Sequence, residues 1–239
     1  MKKFRFSDHI IFESDDYVLI NKPPFISTLE DRNEAINILN QAKQYCESAQ
    51  VCHRLDKETS GILVLSKNTE AYSHMSTQFE KRVVEKTYHA VSAGIHNFQE
   101  IEVNAPITSL GKGVVKIDKV EGKMANTIIN TLKAYRKATL IECRPITGRM
   151  HQIRIHLALL KAPIMEDLQY GGKHFYLSYI KSNFNLKKDT EEMPLIKRVA
   201  LHANSIRFQD LKGNVIYQEA PYPKDFAVLL KQLDKYSSN

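Results

Sequence analysis

The segment His53-Arg54-Leu55-Asp56-Lys57-Glu58-Thr59-Ser60-Gly61 runs straight into the apolar stretch Ile62-Leu63-Val64-Leu65. A short unbroken apolar run after a Thr-Ser-Gly turn reads as a buried strand. Whatever precedes such a strand is held at the mouth of a rigid element. Asp56, flanked by Arg54 and Lys57, therefore stands where a carboxylate can be positioned for chemistry.

The rest of the chain supplies neighbours for that strand. Ile10 to Phe12 and Tyr17 to Ile20 read as two short strands around a turn, and Lys22-Pro23-Pro24 ends the second. Ala35 to Cys46 has helical spacing, with Ala35, Ile38, Ala42 and Tyr45 on one side and Leu39 and Cys46 beside them. Asn68 is a good N-cap for a helix whose apolar face is Ala71, Met75 and Phe79. Lys86 to Ala93, Thr127 to Ala134 and Leu140 to Cys143 read as strands, the last two joined by Tyr135-Arg136-Lys137. Residues 110–123 are rich in glycine and lysine and form a mobile basic loop or hairpin. The polar segment 173–197 reads as a basic insertion on the surface. Val199 to Phe208 and Val215 to Tyr217 read as strand, and Asp225 to Leu233 as a closing helix with Phe226, Leu229, Leu230 and Leu233 on one face. Strands outnumber helices without alternating with them, and no repeat or linker is visible. The expectation is α+β, a mixed, mainly antiparallel sheet in one domain spanning residues 1–239.

Composition narrows the function classes. A hydrophobic content of 43% supports a packed core. No stretch reaches the roughly 18 apolar residues that a membrane span needs. The N-terminus does not read as a secretory signal. Three cysteines without paired spacing argue against a disulfide framework and a structural zinc site, and fit reduced cytosolic thiols. Cys52, four residues before Asp56, would need a local base to act as a nucleophile. A formal charge of +7 favours polyanionic partners, nucleic acid first.

Three jobs suit Asp56: nucleophile or general base, metal ligand, or cap of the turn that follows it. Metal binding is disfavoured because the neighbours are mostly cationic, and that setting favours the anionic carboxylate. A second cluster, Thr147-Gly148-Arg149-Met150-His151-Gln152-Ile153-Arg154-Ile155-His156-Leu157, reads as a helix from about Arg149 with the stripe Met150, Ile153, Leu157 and Leu160. Arg154 falls at the edge of that stripe and needs a carboxylate partner, which we take to be Asp56. Arg149 and His156 project elsewhere, towards phosphates. Tyr88 falls in a strand, where it is either core or a ring that stacks on a base and moves a proton.

The Asp56 motif, continued by Leu63-Val64-Leu65-Ser66-Lys67, resembles the signature of the RluA-type RNA pseudouridine synthases. Asn21-Lys22-Pro23-Pro24, Glu85-Lys86-Thr87-Tyr88-His89-Ala90-Val91, the Thr147–Leu157 segment, and Pro163-Ile164 with Asp167 and Tyr170-Gly171 resemble the same family in the same order. Lesser matches are Gly122 to Thr127 and Leu201-His202-Ala203. The chain departs from the pattern twice: Pro24-Phe25-Ile26 lacks the glycine that usually follows the Lys-Pro pair, and Glu166 stands where glycine normally precedes Asp167.

The resemblance implies a sheet split by a catalytic cleft, and isomerisation of uridine in structured RNA (ribosomal or transfer) to pseudouridine without a cofactor or metal. It implies Asp56 as the catalytic residue, Tyr88 stacking on the uracil and moving a proton, and Arg154 pairing with the aspartate. Arg54 would help displace the target nucleotide. His53, Thr59, Arg149, His151 and Gln152, with Lys123, are the other expected RNA contacts. Attack at C1′, attack at C6 and abstraction of the 2′ proton all remain open for Asp56. The expected protein is a cytoplasmic monomer without a separate N-terminal RNA-binding domain. Two other readings are a non-catalytic RNA-binding module, which shares the charge but does not need Asp56, and a nucleoside hydrolase, which would want a carboxylate pair and would release free uracil.

Overall fold

The computed structural model describes residues 4–30, 36–111, 113–186 and 189–238. In chain order these form β1 (Ile10–Glu13), β2 (Tyr17–Lys22), α1 (Ile38–Tyr45), β3 (Gln50–Val51), β4 (Ser60–Ser66), α2 (Thr69–Glu80), β5 (Glu85–Ala93), β6 (Ile101–Asn104), β7 (Ile107–Gly111), β8 (Val114–Ile117), β9 (Asn126–Ala134), β10 (Ala138–Pro145), α3 (Gln152–Leu159), β11 (Leu201–Gln209), β12 (Val215–Glu219) and α4 (Lys224–Tyr236). Ala35, Lys112, Lys187 and Lys188, each part of a segment discussed above, lie outside the described residues. The fold is α+β with a mostly antiparallel sheet, as expected. No helix among the described residues is long and apolar enough to cross a membrane. The chain divides into two compact units, Met1–Thr87 with His202–Pro221, and Tyr88–Leu201 with Tyr222–Asn239.

In the first unit β4 is buried at every position, as its unbroken apolar run dictates. β2 pairs antiparallel with it from Tyr17 opposite Ser66 to Lys22 opposite Gly61. β1 extends the sheet beyond β2, and β11 runs parallel to β4 with Ala203 beside Gly61. Asparagine side chains cap both helices: Asn37 accepts from the Asn40 N–H and Asn68 from the Ala71 N–H, each at 2.8 Å. Each cap is worth about 1 kcal/mol. α2 buries Ala71 and Met75. It is tied to β2 by the Tyr17 hydroxyl, which donates to the Ala71 carbonyl at 3.0 Å.

The turn carrying Asp56 is pinned by buried polar groups. Lys22 is 0% exposed, and its Nζ donates to the carbonyls of Pro23 at 3.0 Å, Ile26 at 2.9 Å and Lys57 at 3.1 Å. A buried ammonium is tolerated only where its donors find acceptors, so the cation draws the 23–26 turn against the 56–59 turn. The Phe25 N–H adds a bond to the Lys57 carbonyl at 2.8 Å. The Thr28 hydroxyl donates to the Leu55 carbonyl at 2.7 Å and accepts from its N–H at 3.2 Å.

In the second unit β5, β10, β9 and β6 pair antiparallel in that order. Their core includes Val91, Ile129, Ile141, Ile153, Leu157, Phe226, Leu229 and Leu233. The glycine- and lysine-rich segment is the β7–β8 hairpin, resting through Ile107 and Val115 on Ile155 of α3. The 173–197 segment is not simply a surface insertion. Phe175, Ile180 and Ile196 are buried in the core, while Lys173 and Lys197 stay exposed. Arg198 is 1% exposed, and its guanidinium forks onto Asp225 at the start of α4 at 2.7 and 3.1 Å.

Gly61 has φ of +114°, and a Cβ there would lie 2.1 Å from the Ala203 carbonyl oxygen of β11. Gly61→Ala should therefore lower unfolding stability by roughly 2–4 kcal/mol. A urea unfolding midpoint unchanged from wild type would refute this close approach.

Candidate active site

Asp56 sits half-buried between exposed Arg54 and Lys57, with Leu55 and Thr59 buried on either side. The Thr59 N–H donates to the Asp56 carbonyl at 3.0 Å and closes the turn. The first residue of β4 is locked as well. The Nε2 of His202 faces the Ala220 carbonyl at 3.0 Å and must carry a proton, and its Nδ1 meets the Ser60 hydroxyl at 3.0 Å. Thr59, expected among the RNA contacts, is only 3% exposed. Burial pushes the Cys52 thiol up to about 12, which disfavours the nucleophilic thiolate.

His53 accepts the Val64 N–H on Nε2 at 3.1 Å. Burial, with the Lys86 ammonium pushing the same way, lowers its pKa to about 3. The ring is thus neutral at physiological pH, and anything it gives RNA is not charge. In the unfolded chain it protonates near 6.5. Its contribution to stability is complete above about pH 6.5 and is lost as pH falls towards 3. Replacing it by glutamine, which can still accept from Val64, should flatten the acid limb of the stability curve by up to about 1 kcal/mol per pH unit. Equal slopes for the two proteins between about pH 6 and 4 would contradict this.

The Thr147–Leu157 motif forms its helix later than its spacing suggests. His151 adopts a left-handed conformation at φ 53°, so α3 begins at Gln152. Gln152 uses its whole amide inside the protein. Oε1 accepts from the Thr147 hydroxyl at 2.6 Å and the Arg149 N–H at 3.0 Å, and Nε2 donates to the Asn126 carbonyl at 2.8 Å and Thr127 Oγ1 at 2.9 Å. At 4% exposure it has no donor or acceptor left for RNA. His156 cannot reach phosphates, contrary to expectation. It is 0% exposed, with Nδ1 at 2.9 Å from Thr127 Oγ1 and Nε2 at 3.2 Å from the Ala105 carbonyl. Burial also holds its pKa below the ordinary histidine value.

Arg154 lies at the border of the core, as its place on the helix wheel requires. The carboxylate it grips is Asp167, Nε to Oδ2 and Nη2 to Oδ1, both at 2.7 Å. Nη2 also donates to Gln169 Oε1 at 3.1 Å, and the guanidinium carbon is 4.9 Å from the centre of the Tyr170 ring. The Asp167 fork uses two of five N–H donors, so it does not exhaust the guanidinium. Asp167 was visible as a motif residue but not as this partner. His151 Nδ1 meets the Tyr170 hydroxyl at 2.9 Å. Arg149 and Lys123 are exposed, and Arg149 Nε donates to the Met124 carbonyl at 3.2 Å. Tyr88 is half-buried in β5 against the core of the second unit.

Among the candidates, Asp56, Arg54, His53 and Thr59 belong to the first unit, and Tyr88, Lys123, Arg149, His151, Gln152 and Arg154 to the second. The two departures from the family pattern both fall on left-handed backbone, Phe25 at φ 67° and Glu166 at φ 64°. Glu166 is anchored by its carboxylate, which accepts from the Phe175 N–H at 3.0 Å and meets His174 Nδ1 at 2.7 Å. Among the described residues no group of three His, Cys, Asp or Glu is arranged to hold a metal ion.

The mostly antiparallel α+β fold is one that solved pseudouridylate synthase structures share. The structure matches human RNA pseudouridylate synthase domain containing 4 with a TM-score of 0.72 at 22% identity, covering 96% of this chain and 94% of that one. Human RNA pseudouridylate synthase domain containing 1 matches with a TM-score of 0.71 at 22% identity, covering 100% and 91%. The RNA pseudouridylate synthase family model matches residues 16–159. The chain is 33% identical over 240 residues to ribosomal large subunit pseudouridine synthase C of Buchnera aphidicola, covering 95% of this chain and 71% of that protein. It is 30% identical over 242 residues to ribosomal large subunit pseudouridine synthase D of Haemophilus ducreyi, covering 94% and 70%. The chain belongs to the RNA pseudouridylate synthase family.

Proposed function

We propose that this chain isomerises uridine to pseudouridine in large-subunit ribosomal RNA, with Asp56 as the catalytic carboxylate. The observation that carries the reading is the investment of buried groups in one turn: Lys22 and Thr28 fix the backbone on either side of Asp56, and His202 holds the Ser60 hydroxyl just beyond it. Relatives named for the large ribosomal subunit favour that RNA over transfer RNA. In the reaction the C1′–N1 bond breaks, the uracil turns, and a C1′–C5 bond forms. The C5 proton leaves and N1 gains one, so nothing is oxidised or reduced. The carboxylate serves at C1′, at C6 or on the 2′ proton. Each role needs an anion held in place, which the turn provides.

Tyr88 stacks on the displaced uracil and assists removal of the C5 proton. Arg154 pairs with Asp56 using donors beyond those given to Asp167. Arg54, Lys57, Arg149 and Lys123 are exposed and supply phosphate contacts that offset the few kcal/mol of unstacking the target. The protein works as a cytoplasmic monomer.

Asp56→Asn should cut conversion of a ribosomal RNA transcript at least about a thousandfold, while RNA affinity stays within about threefold. Pseudouridine mapping and filter binding read the two effects. Full conversion by the asparagine variant would end the proposal, and free uracil as product would replace it with hydrolysis. Arg154→Lys keeps the charge but loses the fork, and should lower kcat.

A further inference from the structure

Phe25 combines two properties that do not sit together without a reason. The residue is 52% exposed, and its backbone has φ of 67°. A proline followed by a left-handed residue is the pattern of a type II turn, whose third position glycine normally fills. A bulky side chain there is strained. About half of the residue's surface is open to solvent, so much of the ring is available to a partner. Among the described residues no aromatic ring or cation is recorded against it. A lone exposed hydrophobe is ordinary; an exposed one kept in a conformation that suits glycine is not.

The turn that presents the ring is fixed. The Phe25 N–H is bonded to the Lys57 carbonyl at 2.8 Å, and the flanking Pro23 and Ile26 carbonyls are held by the buried Lys22 ammonium. Lys57 follows Asp56 directly, so the ring is mounted on the same clasp as the carboxylate. Arg54 and Lys57, both exposed, provide cationic neighbours suited to a phosphate backbone. Extruding a uridine leaves a neighbouring base without its stacking partner.

We infer that Phe25 is a stacking platform for an unpaired RNA base next to the target uridine. The inference rests on the RNA-modifying reading above and deepens it. A phenyl face accepts any base, so the platform supplies grip on the opened RNA rather than base identity.

The test uses Phe25→Gly and Phe25→Trp with a large-subunit ribosomal RNA transcript that the wild-type protein converts. Glycine suits the backbone, so Phe25→Gly should melt at or above the wild-type temperature. It should bind the transcript on the order of tenfold more weakly. The loss should fall in KM, with kcat at saturating RNA within about twofold of wild type. The chain has no tryptophan, so Phe25→Trp installs a sole indole reporter. It should keep wild-type affinity, and its emission should be quenched when the transcript saturates the protein. A glycine variant that binds as wild type, one that melts well below it, or an indole indifferent to RNA would each overturn the inference. If Asp56→Asn is inactive while Phe25→Gly is unaffected, only the platform falls. If Asp56→Asn still converts uridine, the underlying reading falls with it.

Discussion

The buried Lys22 ammonium is the pin on which the aspartate turn depends. Its Nζ gathers carbonyls from two turns distant in sequence, at Pro23 and Ile26 on one side and Lys57 on the other. Removing a lysine from water is costly, and only a full set of acceptors makes it tolerable. The cost becomes specificity: a shifted 56–59 turn would strand the cation. The Thr28 bonds to Leu55 and the His202 bond to Ser60 act on the same segment from other directions. Asp56 is thus placed by backbone hydrogen bonding around it as much as by the strand behind it.

Local features of the sequence are legible where short-range physics decides them. Asn68 caps α2, and Ala71 and Met75 face inward, because the cap and the helical repeat are set within a few residues. β4 follows from its apolar run. β6 is not legible, since only Val103 of its residues is buried and such an edge strand carries little pattern. The Asp167 partner of Arg154 is also invisible. The wheel shows that Arg154 needs a carboxylate, but Asp167 supplies one through the course of the loop after α3. His156 lies off the apolar stripe, yet Thr127 and Ala105 cover that face. Lys22 reads only as the end of a strand.

The two left-handed residues that replace expected glycines are handled differently. Glu166 turns its carboxylate back onto His174 and Phe175, so its conformation is tied down by its own side chain. Phe25 is anchored through its backbone N–H, and about half of the residue stays exposed. Similar dihedral angles thus carry one residue whose side chain is hydrogen-bonded into the fold and one that keeps about half of its surface exposed.

The amide of Gln152 joins Asn126, Thr127, Thr147 and Arg149 before any RNA arrives. Each of those bonds freezes loop motion during folding rather than at encounter. The stretch leading into α3 is therefore preorganised, and any partner that met it would impose little further ordering on the protein side.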